Sequence, residues 1–581
     1  MAVKKSFKTI KIFYSFIARK RLLFVLFLLI TISSSVFASV VPYFYKMFVD
    51  GLQNFEYSKL LNVLVLLLIV NFVTLITHML SFFIGDKLSF DGSIAARRKI
   101  FEHVQNLDFA FHANKSTGFL ISAFKRGDGS FWGIFHVIHH RFLDVLVSFI
   151  IMVYFFSNID SRITLIVLAS FALSLYLTKI LIKINIRARR LHNDEEDKVS
   201  AIIVDNMINF ETVKLFSQEK KEIKRLKDAF VPWLSTGWKY VNTFRLIDGG
   251  IGTLVNLSMF LIFYIGLNLS SKNLLSVGDF VLILGFVNSI YPKLFDLVYG
   301  FREIGKNFAD IEKYFGLLDY TIEVKDPDNP ITLFNMKGEI EFKDVTFAYS
   351  KRSSRAVNGI NLRIRQGQSV ALVGKSGSGK TTLITLLMRF YDCEKGKISL
   401  DGVDIKDITK SHLRSFMGVV PQEPILFDNT ISYNIAYGRE KITKAEIIAA
   451  AKIANMHKFI TTLPDGYGTN VGERGIKLSG GQKQRLAIAR MILSDPEIII
   501  FDEATSQLDS ENEQLIQSAL WKAVKDKTTI IIAHRLATAM RADKIVVMES
   551  GKIKEVGSHQ ELLLNKDGLY KHFWDLQTES V

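Results

Sequence analysis

The sequence predicts an α-helical membrane domain of six spans followed by an α/β P-loop domain. Three observations predict it. Apolar runs long enough to cross a bilayer crowd into residues 22–294 of the 581-residue chain. The remainder reads like an ordinary soluble protein, which reconciles 49 % hydrophobic residues with 22 % charged ones. In that remainder a strand-like run leads into a glycine-rich loop of the form G-x-x-x-x-G-K-[ST]. At about 100–200 residues per domain, the length accommodates several domains. The composition shifts place a membrane domain at 1–318, a linker rich in Asp and Pro at 319–335, and the second domain at 336–581.

A helix needs about 20 mostly apolar residues to cross the hydrocarbon core. The stretches 22–45, 60–84, 134–156, 163–182, 246–268 and 277–298 meet that need. The first follows Lys4, Lys5, Lys8, Lys11, Arg19, Lys20 and Arg21. A cleaved signal peptide is the competing reading, with Val36-Phe37-Ala38 as its cleavage site, but the run exceeds the usual apolar core of about 7–15 residues. An even number of spans returns the chain to its starting side. The outer connections are short (46–59, 157–162, 269–276), and the inner ones, 85–133 and 183–245, are long. The inner ones carry Arg97, Arg98, Lys99, Arg187, Arg189, Arg190, Lys220, Lys221, Lys224 and Arg225. Cytoplasmic loops collect Lys and Arg, so the N-terminus and the second domain are expected in the cytoplasm. The lack of an Arg/Ser-rich transit stretch favours a bacterial inner (plasma) membrane. The inner segments keep helical periodicity. They are expected to extend the spans and to turn near 108–117 and 206–218, pressing on the second domain near Gln422 and Glu473.

The net charge is +16. Nucleic acid is one partner for such a charge, but the cations here edge the apolar runs, so membrane lipids are expected and nucleic acid is not. Cys393 is the only cysteine, which excludes intrachain disulfides and thiolate clusters. His136, His139 and His140 share a helical side in the third span. Helical spacing alone produces such a group, and zinc needs a fuller ligand set, so a wet cavity or interface is preferred to a metal site. His78 reads as a packing or pore-lining residue.

The run Ser369-Val370-Ala371-Leu372-Val373 enters Gly374, Lys375, Ser376, Gly377, Ser378, Gly379, Lys380 and Thr381, followed by Thr382. These nine residues are the first nucleotide-binding candidates. Glycines let backbone N–H groups wrap phosphates, Lys380 reaches the β- and γ-phosphates, and the Thr381 hydroxyl ligands Mg²⁺. The helix that follows aims its positive end at the anion. Chance gives this pattern in about 2 % of chains this long at typical residue frequencies, so the strand before and the helix after decide the matter. A second apolar strand, Ile498-Ile499-Ile500-Phe501, ends in Asp502 and Glu503. Asp502 would hold Mg²⁺, and Glu503 would orient and polarise the attacking water.

Leu478-Ser479-Gly480-Gly481-Gln482, before Lys483-Gln484-Arg485, resembles the signature of ATP-binding-cassette (ABC) proteins. The other cassette elements occur in order. Tyr349 resembles the adenine-stacking aromatic, Gln422 the glutamine that touches Mg²⁺, and Asp509 in Ser506-Gln507-Leu508-Asp509 the loop that crosses between cassettes. His534 resembles the switch histidine on the γ-phosphate. Val471-Gly472-Glu473-Arg474-Gly475 is similar to the segment that meets the membrane domain in exporters. Six spans ahead of one cassette resemble an exporter half-transporter over the whole chain.

That resemblance implies ATP and Mg²⁺ as cofactors and a head-to-tail homodimer. Each ATP would lie between Lys380 of one subunit and Ser479, Gly480, Gly481 and Gln482 of the other. Glu503 and His534 would be catalytic. Asn206–Glu219, Ser116-Thr117-Gly118 and Lys125-Arg126-Gly127 are similar to mitochondrial-type and heavy-metal-tolerance exporters, which carry glutathione-linked cargo. The implied function is ATP-driven export of a small molecule or lipid by alternating access. The alternative is a lipid flippase or multidrug exporter, and a nucleotide-gated channel or regulator ranks last because its catalytic residues would be degenerate.

Overall fold

The structure is a computed structural model and describes residues 2–54, 56–115, 117–349, 354–472, 475–502, 510–533 and 535–578. The chain forms two compact units, one of residues 1–106 with 115–321, the other of 107–114 with 322–581.

The first unit is helical. Its helices are α1 (Ala2–Ile17), α2 (Arg21–Asn54) and α3 (Tyr57–Gln105), then α5 (Thr117–His136) after the short α4 (Phe109–Asn114) of the other unit. A π-helical turn, Val137–Phe142, joins α5 to α6 (Leu143–Ser157). There follow α7 (Ser161–Ile208), α8 (Phe210–Leu215), α9 (Glu219–Ser271) and α10 (Val277–Phe315). Six helical segments are long and apolar enough to span a membrane: Arg21–Gln53, Tyr57–Gln105, Gly118–Ser157, Ser161–Ile208, Glu219–Ser271 and Val277–Asp319. The expected spans lie inside them. The helices are longer because their period persists after the apolar run ends. At about 1.5 Å per residue, the 53 residues of α9 reach far beyond a bilayer core of about 30 Å.

Packing runs α2 on α3, α7 on α9, and α10 on α2 and α5. Ile163, Val167, Ile247, Ile251, Phe286 and Val287 form part of one buried cluster. Leu64, Leu68 and Phe72 of α3 point outward, as they must where lipid is the solvent. The third-span histidines are held by rings and backbone. His140 stacks on Phe82 at 4.2 Å and His136 lies 3.9 Å from Trp132. His139 Nδ1 bonds the Phe135 carbonyl at 2.9 Å. His136 Nε2 also approaches Asp86 to 3.2 Å, too poorly aimed for a hydrogen bond. His78 packs against Phe82 at 4.8 Å.

The second unit carries two sheets. In the smaller, antiparallel one the order is β2 (Val357–Ile364), β1 (Ile340–Phe347), β4 (Lys395–Leu400), β5 (Val403–Asp404). In the larger the order is β10 (Lys552–Gly557), β9 (Lys544–Glu549), β3 (Ser369–Val373), β8 (Thr528–Ile532), β7 (Ile498–Asp502), β6 (Met417–Val420). Strands β9, β3, β8, β7 and β6 run parallel. They read as unbroken apolar runs because both faces are covered. Ile340, Phe342, Val370, Leu372, Leu383 and Leu386 share one core, and Leu486, Ile488, Phe501 and Ile531 share another.

The stretch 319–335, expected as a linker, is largely fastened to this unit. Arg389, buried and left-handed at φ 52°, donates to the carbonyls of Lys325, Ile405 and Ile408. The Asp326 carboxylate accepts from Lys410 N at 2.7 Å. The turn at 107–114 also belongs here. Phe109 stacks on Phe390 at 4.8 Å, and the Asp108 carboxylate accepts from the backbone of Val324. The turn sits on Phe390 and Tyr391, and among the described residues no hydrogen bond ties it to Gln422. Glu473 lies outside the described residues.

Candidate nucleotide site

The parallel strands set the site. Val373 ends β3 and the chain turns at Gly374. A Cβ on Gly374 would lie 2.2 Å from the Met548 carbonyl oxygen, and one on Gly379 would lie 2.6 Å from that of Ala356. Gly379 has φ 103° and Gly377 φ 79°, a region costly for any other residue. The loop therefore wraps tightly against β9 and the start of β2, and the helix Lys380–Leu387 starts directly behind it.

Lys380 is only 5 % exposed. Its Nζ donates to the carbonyls of Gly374 at 2.7 Å and Lys375 at 3.0 Å. Burial pulls its pKa down from the usual lysine range, and the charge of Asp502 pushes the other way. Asp502 ends β7 in register with Ile532 of β8, which pairs onward to Leu372 of β3. The metal-ligand candidate thus stands at the same sheet edge as the phosphate loop. A buried ammonium held by carbonyls, N–H groups at a helix start and an adjacent carboxylate fit a nucleotide phosphate with its cation.

Other candidates gather at this edge. The Tyr349 hydroxyl lies 3.2 Å from Thr382 Oγ1, and the ring is supported edge-on by Phe347 and Tyr391. Tyr349 and Thr381 are exposed, while Ser378 and Thr382 are buried. Gln422 follows β6, whose Val420 pairs with Phe501. Its carbonyl accepts from Gln484 Nε2 at 2.9 Å, leaving the exposed side chain available. Gln484 is a support that sequence reasoning missed; it stood beside the signature with no pattern to give it a role.

Ser479 is exposed and caps the helix Gly480–Ser494. Its Oγ accepts from Gln482 N at 3.3 Å, and Gln482 Oε1 accepts from Ser479 N at 2.9 Å. This reciprocal box fixes the helix start. Among the described residues no hydrogen bond joins Ser479, Gly480, Gly481 or Gln482 to the phosphate loop of the same chain. Glu503, Asp509 and His534 lie outside the described residues.

Comparison with known proteins adds the lineage. Residues 23–291 match the ABC transporter transmembrane region, and residues 357–506 match the ABC transporter domain. ATP-binding cassette sub-family B member 6 of Mesocricetus auratus is 39 % identical over 486 residues, covering 82 % of this chain and 57 % of the relative. Heavy metal tolerance factor 1 of Caenorhabditis elegans is 38 % identical over 488 residues, covering 82 % of this chain and 60 % of the relative. The chain therefore spans a little over half the length of these curated relatives. The solved structure of a bacterial Atm1-family ABC exporter with ATP bound superimposes with a TM-score of 0.84 at 32 % identity, covering 96 % of this chain and 98 % of that one. With its spans, its phosphate cradle and these relatives in agreement, the chain belongs to the ABC transporter family, as an exporter-type fusion of the Atm1 kind.

Proposed function

We propose that two copies of this chain form an ATP-driven exporter working by alternating access. The observation that carries this reading is the division of the nucleotide site. The phosphate loop and Asp502 share one sheet edge, whereas Ser479 is exposed and, among the described residues, bonds only within its own helix start. A second copy arranged head to tail would supply Ser479, Gly480, Gly481, Gln482 and Asp509 to each phosphate loop.

When bound, ATP supplies the free energy of its phosphoanhydride hydrolysis. The chain does the rest. Lys380 exchanges its two carbonyl partners for phosphate oxygens. Thr381, Gln422 and Asp502 would hold Mg²⁺. Tyr349 offers its exposed ring to adenine, Glu503 polarises the attacking water, and His534 meets the γ-phosphate. ATP favours the closed pair of cassettes because only that state contacts it from both sides, and a ligand shifts an equilibrium by its differential affinity. Closure would turn the membrane cavity outward, and hydrolysis would reset it. We place the N-terminus and the cassette in the cytoplasm, with a bacterial inner membrane as the host bilayer.

For cargo, the resemblance of Asn206–Glu219 to mitochondrial-type and heavy-metal-tolerance exporters supports a glutathione-linked anion. Arg187, Arg189 and Arg190 stand near the inner end of the fourth span, where guanidinium groups can receive carboxylates in pairs. In reconstituted protein, oxidised glutathione or a metal–glutathione complex should raise ATP turnover. Arg189→Ala should reduce that response more than basal turnover. Stimulation by lipids or hydrophobic cations, with none by glutathione derivatives, transfers the reading to a lipid flippase or multidrug exporter.

A further inference from the structure

The turn between α1 and α2 closes a cavity of about 260 Å³ against α3. Phe16, Ile17, Leu88, Ile94 and Ala95 make its apolar wall, and Arg19, Lys20, Arg98 and Asp91 its polar lining. Its charges are not balanced internally. Lys20 is taken by Asp91 at 2.7 Å. Among the described residues Arg98 is held only by Glu102, one turn along the same helix at 2.7 Å, in an exposed pair. Exposed pairs of that kind contribute little and exchange readily. Arg19 has no hydrogen-bond or ion-pair partner among the described residues.

The cavity sits where a bilayer surface must be. Arg21 opens the first spanning helix, and the Lys20–Asp91 pair fixes the level of α3 beside it. Gly92 faces Ile17 closely: a Cβ there would lie 3.1 Å from Ile17 Cδ1. From that level Phe83, Phe90 and Ile94 of α3 stand exposed at intervals of seven and four residues. Such spacing puts them on one helical face, and they form an apolar track leading from the spans into the cavity. An apolar track ending in unbalanced guanidinium groups at the cytoplasmic border fits one occupant: a phospholipid with an anionic headgroup. Acyl chain lies along the track and phosphate lies on the arginines. The cytoplasmic leaflet supplies such lipids.

We propose that this cavity is a binding site for an anionic phospholipid, with Arg19 and Arg98 as its phosphate ligands. The inference rests on the proposed orientation, with the N-terminus on the cytoplasmic side of a membrane, and it is independent of the cargo.

The test uses the full chain in nanodiscs of phosphatidylcholine mixed with phosphatidylglycerol, with retained lipid counted by native mass spectrometry. The wild type should keep phosphatidylglycerol in preference to phosphatidylcholine. The double variant Arg19→Gln, Arg98→Gln should lose that preference by about fivefold for each cation removed, while Arg19→Lys should keep it. The control Lys220→Gln, Lys221→Gln removes the same charge elsewhere on the inner segments and should leave the preference intact. Soluble glycerophosphoglycerol should not compete. The proposal is overturned if the wild type shows no preference, if the control pair loses as much as the test pair, or if the headgroup alone competes.

Discussion

The two turns of the inner segments are built alike and treated differently. Each is a short helix opened by phenylalanine, Phe109–Asn114 in one and Phe210–Leu215 in the other. The first belongs to the cassette unit. Leu107 is 6 % exposed, Phe109 lays one face on Phe390, and Asp108 takes backbone N–H groups of the following unit's first residues. Among the described residues, the hydrogen bonds and ion pairs of the second stay within its own neighbourhood. Asn206 Nδ2 bonds Glu222 at 2.9 Å, and Lys214 pairs with Glu219 at 2.9 Å. Its apolar side chains stay bare: Leu215 is 81 % exposed and Phe216 70 %, with Met207, Ile208 and Phe210 beside them. A contiguous apolar patch outside the spans marks a docking surface. The contrast is that one turn is packed within its unit while the other leaves its apolar side chains exposed, and on the proposed dimer a second copy would cover them.

The largest expected effect comes from trapping that second copy. Glu503→Gln removes the proposed base, so steady-state ATP turnover should fall by about 100-fold or more while ATP binding persists. With ATP present, residues 207–216 should then gain protection from hydrogen exchange, and 107–114 should change little. Near-normal turnover removes Glu503 from its role, and unchanged exchange at 207–216 breaks the comparison. Lys380→Ala acts one step earlier. Losing a charge-assisted contact to phosphate, worth about 1.5–3 kcal/mol, should weaken ATP binding by about tenfold or more in equilibrium titration. No protection of 207–216 should then follow at ATP levels that suffice for the wild type. Wild-type affinity in this variant contradicts the site.

The smallest effects separate the turns themselves. Phe109→Ala should destabilise the cassette unit by about 1–2 kcal/mol, the value of a partly buried aromatic side chain. Phe210→Ala should stay within about 0.5 kcal/mol, as exposed substitutions do. Thermal unfolding of the two variants, each with the wild type as reference, gives the answer. Equal losses erase the contrast.

Sequence made the six spans legible because a lipid-facing helix is apolar nearly all round, so hydropathy alone locates 60–84 inside Tyr57–Gln105. Gly374, Gly379 and Lys380 were legible because close backbone approach and phosphate charge admit few other residues. The seat of Phe109 on Phe390 was not, since two aromatic residues far apart in sequence carry no mutual pattern. The fastening of 322–335 was hidden for a related reason. Asp326, Pro327 and Pro330 look like linker chemistry, and only the fold reveals that Arg389 and Lys410 hold the backbone carbonyls of Lys325 and Val324. The π-helical turn Val137–Phe142 leaves no composition signal either, because it alters the bonding pattern rather than the residue types.

The central claim is that each ATP lies between Lys380 of one copy and Ser479 of the other. Mixed dimers test it most directly, with trapped nucleotide counted in a Glu503→Gln background. When one copy carries Lys380→Ala and the other Ser479→Arg, both lesions fall in a single shared site, so one ATP should be trapped per dimer. When one copy carries both substitutions and the other neither, the two sites are each hit, and none should be trapped. The opposite pattern, none in the first dimer and one in the second, would mean that each chain builds its site alone and would contradict the account.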